Sequence, residues 1–151
     1  MAVVDYLLSR KELDSEKILG YGVSFGAAAL IHAAAEDKRL KLIIVDSPFA
    51  EFEVMAKKVV ERMLFIPTVL RNTLGNLGLS FANLELGFNL KKHSPLSVIS
   101  EIGQPILIIH GKNDPLIPWT EADKLFKAAN NPKEFLVLPG LLWMTDEKVI
   151  W

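Results

Sequence analysis

The feature that most constrains the fold of this chain is a short apolar run, a glycine-rich turn and an alanine-rich run in direct succession. Residues 17–23 have the length and partly β-branched character of a strand, and residues 25–36 contain no proline and, after Gly26, no glycine. A second apolar run of strand length, residues 40–46, follows and is closed by a Ser-Pro pair. Strand, helix and strand in this order predict a βαβ unit and therefore a parallel sheet.

Hydrophobic spacing elsewhere predicts the remaining elements. Helical spacing occurs at residues 2–12, 51–64 and 119–129, and Ser94-Pro95 starts a further short helix. Buried-type strand runs occur at residues 105–110 and 134–138. We therefore predict one α/β domain, residues 1–151, with about four parallel strands and flanking helices.

Residues 65–92 receive no assignment, because glycines interrupt a stretch of Leu and Phe that carries few charges. We predict that segment 49–93 is a cap insertion that lies over a cleft. The alternative is an irregular segment packed on the core.

Composition and charge exclude several functional classes. The 17 Lys and Arg balance 18 Asp and Glu, for a net charge of −1, which is not the electrostatic pattern of a nucleic-acid-binding protein. No apolar run approaches the ~18 residues of a spanning helix, and the N-terminus lacks the pattern of a signal peptide. Without cysteine there is no disulfide framework. We expect a cytoplasmic protein that interacts with neither membrane nor nucleic acid.

The glycine-rich turn at residues 20–26, GYGVSFG, admits three interpretations. In the first, its glycines cradle a pyrophosphate and Asp46 holds a ribose, although the spacing is GxGxxxG and not GxGxxG. In the second, GVSFG is a G-x-S-x-G nucleophile elbow, in which small residues two before and two after Ser24 let a strained turn expose its hydroxyl. The Phe25 N–H and the helix dipole then face a developing oxyanion. In the third, Ser24 simply caps the helix.

A second motif favours the nucleophile elbow. The loop HGKNDPLIP, residues 110–118, places Asp114 at the carboxyl end of a later parallel strand. Asp114 is therefore expected at the same edge of the sheet as Ser24. A dinucleotide-binding fold has no use for this carboxylate.

With these two motifs the sequence resembles the α/β-hydrolase superfamily, specifically small hydrolases of the prolyl-oligopeptidase and serine-aminopeptidase groups. The resemblance rests on DSEKILGYGVSFGAAALIHAA, IIVDSPF, SPLSVISEIGQPILIIHGKNDPLIP and PKEFLVLPG. It covers nearly the whole chain and corresponds to the C-terminal half of that fold. The implied fold is a parallel-sheet α/β-hydrolase fold truncated to the half that carries the elbow.

The resemblance implies a serine hydrolase that acts on an ester, amide or peptide bond of a small molecule or peptide. In this scheme Ser24 is the nucleophile, Asp114 is the acid of the triad, and the Phe25 N–H is an oxyanion donor. No cofactor or metal is implied. Trp143 stands where the family has its catalytic His, and only 23 residues precede Ser24, too few for the segment that supplies the second oxyanion donor. We therefore expect the chain alone to be weakly active or inactive.

The remaining candidate residues have structural interpretations. His110 is expected to be structural, His32 to be a core or helix-surface residue, and His93 to be exposed. By resemblance, Asp46 ties down a turn and is not a catalytic acid. Tyr21 and Phe25 are expected to wall the acyl pocket. The alternative for both residues is simple core packing.

Two further expectations concern the whole chain. The alternative to an enzyme is a non-catalytic, truncated hydrolase remnant that acts as a binding or assembly module. In either case, the first strand has only the second as an obvious neighbour, so that its other edge is unpaired. An apolar, uncharged strand edge favours association. We therefore expect a homo-oligomer or a complementing chain.

Overall fold

The computed structural model describes residues 2–63, 68–86 and 92–140 of the 151-residue chain. The α-helices are α1 (Ala2–Ser9), α2 (Phe25–Glu36), α3 (Phe52–Met63), α4 (Thr68–Leu86), α5 (Pro95–Val98) and α6 (Trp119–Ala128). The strands are β1 (Leu19–Val23), β2 (Leu42–Asp46), β3 (Ile106–Gly111) and β4 (Lys133–Leu138). Short 3-10 helices occupy Ser15–Lys17 and Ile99–Glu101. None of the helices within the described ranges is long and apolar enough to cross a membrane.

The four strands form one parallel sheet in the order β1-β2-β3-β4. Gly22 pairs with Val45, and Val45 pairs with Ile108, so the carboxyl ends of the first three strands lie at a common edge. The predicted fold class, a parallel α/β sheet of about four strands, is confirmed. Among the described residues β1 pairs only with β2 and is therefore an edge strand.

The main core lies between one face of this sheet and helices α2 and α6. Alanine and isoleucine side chains at helical spacing on α2 are fully buried, because small residues let the helix approach the strands closely. The buried members of this core from the two helices and the two central strands are Ala27, Ile31, Ala34, Ala122, Leu125, Ile43, Val45, Ile106 and Ile108.

A second, smaller core lies at the carboxyl edge of the sheet. Ala28, Phe49 and Ile117 are buried there, and Phe52 and Met55 of α3 pack against them. This cluster connects the start of α2, the exit of β2, the start of α3 and the loop after β3. It holds together the segments that also carry the candidate site.

Helix α4 is the main element that the hydrophobic spacing of the sequence does not predict. Gly75 and Gly78 lower helix propensity, yet α4 runs continuously through both residues. Gly75 is buried, and a Cβ there would lie 3.2 Å from Cγ of Lys57 in α3. Gly75 thus permits close packing of α3 and α4, although its sequence context suggests a helix breaker. The assignment of segment 49–93 as a cap stays a prediction.

Candidate active site

Ser24 lies directly between the end of β1 and the start of α2, in a strained conformation. Its φ is 53° and its ψ is −114°, and only one other non-glycine residue among those described, Ser47, has positive φ. Such values cost free energy and are kept only where the surrounding structure imposes them. The Ser24 side chain makes no capping hydrogen bond to the helix. The capping interpretation of Ser24 is therefore wrong, and the predicted strained strand-to-helix turn is present.

The two glycines that flank Ser24 differ in what they contribute. A Cβ on Gly22 would lie 2.5 Å from the carbonyl oxygen of Gly26, so the close approach of strand and helix requires a glycine there. A Cβ on Gly26 would meet nothing within 4 Å. The expectation that both positions need a small residue is thus supported at Gly22 and wrong at Gly26, because α2 leaves that side of Gly26 open.

Backbone hydrogen bonds fix the turn on both sides. The Ser24 N–H donates to the carbonyl of Asp46 at 2.9 Å, and the Ser24 carbonyl accepts from the N–H of Ala28 at 3.2 Å. Ser24 therefore precedes the first turn of a 12-residue helix, whose first N–H groups have no partner inside the helix. Those N–H groups, that of Phe25 included, can stabilise negative charge that develops beside Ser24.

Asp114 lies in the loop that follows β3, at the same edge of the sheet as Ser24. Its Oδ1 accepts hydrogen bonds from the N–H groups of Leu116 and Ile117, both at 2.8 Å. Its side chain is 4% exposed. One carboxylate oxygen is thus held by the backbone, which fixes the direction of the other.

His110, the last residue but one of β3, is fully buried beneath the Asp114 loop. Its Nε2 lies 2.9 Å from the carbonyl oxygen of Ile117, a distance that makes Nε2–H the donor. The same nitrogen lies 3.8 Å from Oδ2 of Asp114, and Nδ1 is buried without a partner. This placement agrees with the predicted structural role of His110.

The strand order places Ser24 and Asp114 two strands apart. With strands spaced at ~4.8 Å, their strand ends are separated by roughly 10 Å. A gap of this size can hold an imidazole that hydrogen-bonds to a hydroxyl on one side and to a carboxylate on the other.

The other two histidines lie elsewhere. His32 is in α2, eight residues beyond Ser24, which corresponds to roughly 12 Å along the helix axis. His93 is exposed and lies before α5, as expected. Trp143, which stands at the expected position of the family's histidine, lies outside the described residues.

Asp46 is engaged in a local hydrogen-bond network and is only 1% exposed. Its Oδ2 accepts from the Tyr21 hydroxyl at 3.2 Å, and its Oδ1 accepts from the Ser47 hydroxyl at 3.1 Å. Desolvation, together with the Asp46 charge and hydrogen bond, raises the pKa of Tyr21. With both oxygens occupied and buried, Asp46 cannot hold a ribose, and the dinucleotide interpretation is wrong. No sequence pattern indicates the bond from Tyr21 to Asp46.

An aromatic group lies next to Ser24 on the helix side. The Phe25 ring is 61% exposed, with its centroid 5.5 Å from that of Phe49 and 5.7 Å from that of Phe52. Phe49 is fully buried and supports the other two rings. The sequence indicates Phe25 as a pocket residue but not its two partners, which come from the exit of β2 and the start of α3. The Tyr21 hydroxyl donates a hydrogen bond to Asp46, and Tyr21 does not belong to this aromatic group.

Metal ions have no evident site in residues 2–63, 68–86 and 92–140. No three of His, Asp and Glu there are arranged to hold one.

Comparison with known proteins gives a family match over most of the chain. The model of the prolyl oligopeptidase family matches residues 1–139. The chain is 22% identical over 140 residues to YfhR of Escherichia coli K12 and 29% identical over 119 residues to YqkD of Bacillus subtilis. These matches cover 91% and 78% of this chain but 42% and 38% of the two relatives. The chain thus spans less than half the length of either relative.

Solved structures share the fold. The esterase domain from a Rhodothermus marinus protein superposes with a TM-score of 0.61 and 21% identity. That match covers 90% of this chain and 54% of the esterase chain. At this level of identity the likeness concerns the fold, an α/β-hydrolase sheet with flanking helices.

Proposed function

The chain belongs to the prolyl oligopeptidase family, and from this we propose that it is a serine hydrolase whose nucleophile is Ser24. The observation that carries the proposal is the strained turn that presents Ser24 at the head of α2, with φ of 53° and no capping bond from its hydroxyl. A hydroxyl held in this way can attack a carbonyl carbon while the first N–H groups of the helix face the oxyanion. The reaction is acylation of Ser24 by an ester, amide or peptide substrate.

Asp114 is proposed as the acid that orients the catalytic base. Two backbone N–H groups hold its Oδ1, so Oδ2 has a fixed direction at the edge of the sheet. In a triad the acid holds an imidazole in the correct tautomer and stabilises its protonated form. The Phe25 N–H is proposed as one oxyanion donor.

We propose that the 151-residue chain alone turns over slowly. None of its three histidines lies between Ser24 and Asp114: His110 donates to Ile117 beneath the loop, His32 is two turns into α2, and His93 precedes α5. A serine without its general base keeps only about 10³–10⁴-fold of rate enhancement over water, in the presence of an oxyanion hole.

The aromatic group formed by Phe25, Phe49 and Phe52 is proposed to wall the acyl site. It lies beside the nucleophile and belongs in part to α3, within the segment that we propose as a cap, residues 49–93. Its apolar surface suits an apolar acyl group of a small molecule or a peptide side chain. The chemistry calls for no cofactor.

Hydrolysis of p-nitrophenyl acetate tests the proposal. We expect slow release of p-nitrophenol by the wild-type chain and a rate at the solvent background for Ser24→Ala. Ser9→Ala, which removes a surface hydroxyl bonded to the Tyr6 carbonyl, serves as the matched control and is expected to behave as wild type. Hydrolysis that survives Ser24→Ala would contradict the assignment of Ser24, and the absence of any hydrolysis would favour a non-catalytic binding module.

A further inference from the structure

Asp46 adjoins both strained residues at the carboxyl edge of the sheet. Its carbonyl oxygen accepts a hydrogen bond from the Ser24 N–H at 2.9 Å, and Ser47 follows it directly in the chain. Ser24 and Ser47 are the two non-glycine residues with positive φ among those described, at 53° and 49°. A backbone in such a conformation is kept only where neighbouring groups over-determine it. The position of Asp46 therefore sets where the Ser24 turn lies.

The carboxylate of Asp46 is held in turn by two hydroxyl groups. Asp46 is only 1% exposed, and the donors to its carboxylate among the described residues are the Tyr21 hydroxyl, at 3.2 Å from Oδ2, and the Ser47 hydroxyl, at 3.1 Å from Oδ1. A buried carboxylate that loses one of only two donors is left with an unsatisfied charge, and it has to move or to take a new partner. The position of Asp46 thus depends on Tyr21.

Tyr21 is the outermost member of this series of hydrogen bonds. It pairs with Ile44 across β1 and β2, and residues two apart on a strand share a face, so that Tyr21 and Asp46 lie on the same face of the sheet. Tyr21 is 55% exposed, so packing holds its ring only in part. Desolvation and the Asp46 charge raise the pKa of Tyr21, and its hydroxyl therefore remains a donor at neutral pH. The contribution of Tyr21 to the turn comes from this hydroxyl.

We propose that Tyr21 is a positioning residue that acts through Asp46 to hold the turn presenting the Ser24 hydroxyl. The inference rests on the proposed function, because it gives the turn a role in the acylation of Ser24. A displaced nucleophile reacts more slowly even where binding is unchanged, since attack requires alignment with the reacting atom. Loss of the Tyr21 hydroxyl is therefore expected to slow the covalent step without weakening the binding of the reagent.

Hydrogen exchange tests the structural step without any chemistry at Ser24. In Tyr21→Phe, which keeps the ring and removes the hydroxyl, we expect the Ser24 amide to exchange roughly tenfold faster than in the wild type. The Ile43 amide, which donates to the Pro105 carbonyl at 3.0 Å, is the internal reference and is expected to be unchanged. Tyr6→Phe removes the hydroxyl of a tyrosine of similar exposure, 59%, in α1 and is the matched control.

Fluorophosphonate labelling of Ser24 tests the chemical step. We expect Tyr21→Phe to lower the maximal labelling rate about tenfold and to leave the half-saturating reagent concentration unchanged. Asp46→Ala is expected to lower the maximal rate at least as much. In the Asp46→Ala background, Tyr21→Phe is expected to have little further effect, because the hydroxyl acts through the carboxylate.

Several results would overturn the inference. They are a Ser24 amide in Tyr21→Phe that exchanges at the wild-type rate, equal acceleration of the Ser24 and Ile43 amides, and an equal effect of Tyr6→Phe. An unchanged labelling rate in Tyr21→Phe, or additive effects of Tyr21→Phe and Asp46→Ala, would also overturn it. The absence of any Ser24 adduct in the wild type would instead refute the proposed nucleophile, and exchange at the Ser24 amide would still decide whether Tyr21 holds the turn.

Discussion

At the scale of single residues, the geometry of the turn at Ser24 depends most directly on Gly22. We predict that Gly22→Ala destabilises the fold by about 1–3 kcal/mol, because the new Cβ would have to displace backbone that cannot move independently of α2. The nearest atom to that Cβ is the Gly26 carbonyl oxygen, at 2.5 Å. Urea unfolding followed by circular dichroism measures the change.

Gly26→Ala is the matched control for this prediction. Its Cβ enters open space on a helix, and we expect it to be neutral or to stabilise by up to about 1 kcal/mol, since alanine favours helix. Equal destabilisation by the two substitutions would show that the contact between Gly22 and Gly26 does not determine the turn.

Residue-level features could be predicted where they depend on local spacing. The G-x-S-x-G pattern specifies a strained turn without reference to the rest of the chain, and Ser24 adopts it. The bond from Tyr21 to Asp46 joins residues 25 positions apart and depends on the register of β1 against β2. No local pattern encodes that register, nor does one indicate the positive φ of Ser47, whose N–H donates to the Ile109 carbonyl of β3.

At the scale of elements, Arg39 connects the end of α2 to α1. Its guanidinium bonds to Asp37, which follows the last residue of α2, and lies 2.8 Å from the Asp5 carboxylate in α1. The hydrogen bonds from the Arg39 side chain and backbone lower the pKa of Asp37 to about 2. The folded protein therefore holds Asp37 ionised over a range in which the unfolded chain protonates it.

The consequence for stability has a definite sign. A carboxyl whose pKa is lower in the folded state stabilises the fold above its ordinary pKa, 3.8, and this contribution is lost as the pH falls toward about 2. We predict that Asp37→Asn lowers the free energy of unfolding at pH 6. We also predict that this free energy falls less between pH 4 and pH 2 in Asp37→Asn than in the wild type. Urea titrations at the three pH values measure this.

Asp123→Asn is the control for Asp37. Asp123 pairs with Lys127 on the surface of α6, and surface pairs of this kind contribute little. If the free energy of unfolding of Asp37→Asn depended on pH in the same way as that of the wild type and of Asp123→Asn, the pairing of Asp37 with Arg39 would not be a source of acid sensitivity.

Elements with a regular hydrophobic period could be predicted to within a few residues. The strands, α2, α3 and α6 follow from the spacing of apolar residues, and each lies close to its predicted range. Helix α4 could not be predicted in the same way, since Gly75 lies where α3 packs closely and Gly78 has no compensating local signal. Tertiary packing outweighs helix propensity there.

At the scale of the whole molecule, the parallel sheet brings Ser24 and Asp114 to one edge although they are 90 positions apart in the sequence. The alternation of strands and helices predicts this common edge, because every crossover returns the chain to the same end of the sheet. The position of α1 beside β1 and α2 could not be predicted, since the packing of Val4 on the main core and the ion pair of Asp5 with Arg39 are contacts that no sequence period records.

Mapping the site of covalent labelling tests whether Ser24 is a nucleophile. The chain is incubated with a fluorophosphonate, digested, and examined by mass spectrometry for the modified residue. We predict a slowly formed, single adduct on Ser24 that is absent from Ser24→Ala and retained in Ser9→Ala. An adduct on a different residue, or labelling that is unchanged in Ser24→Ala, would contradict it.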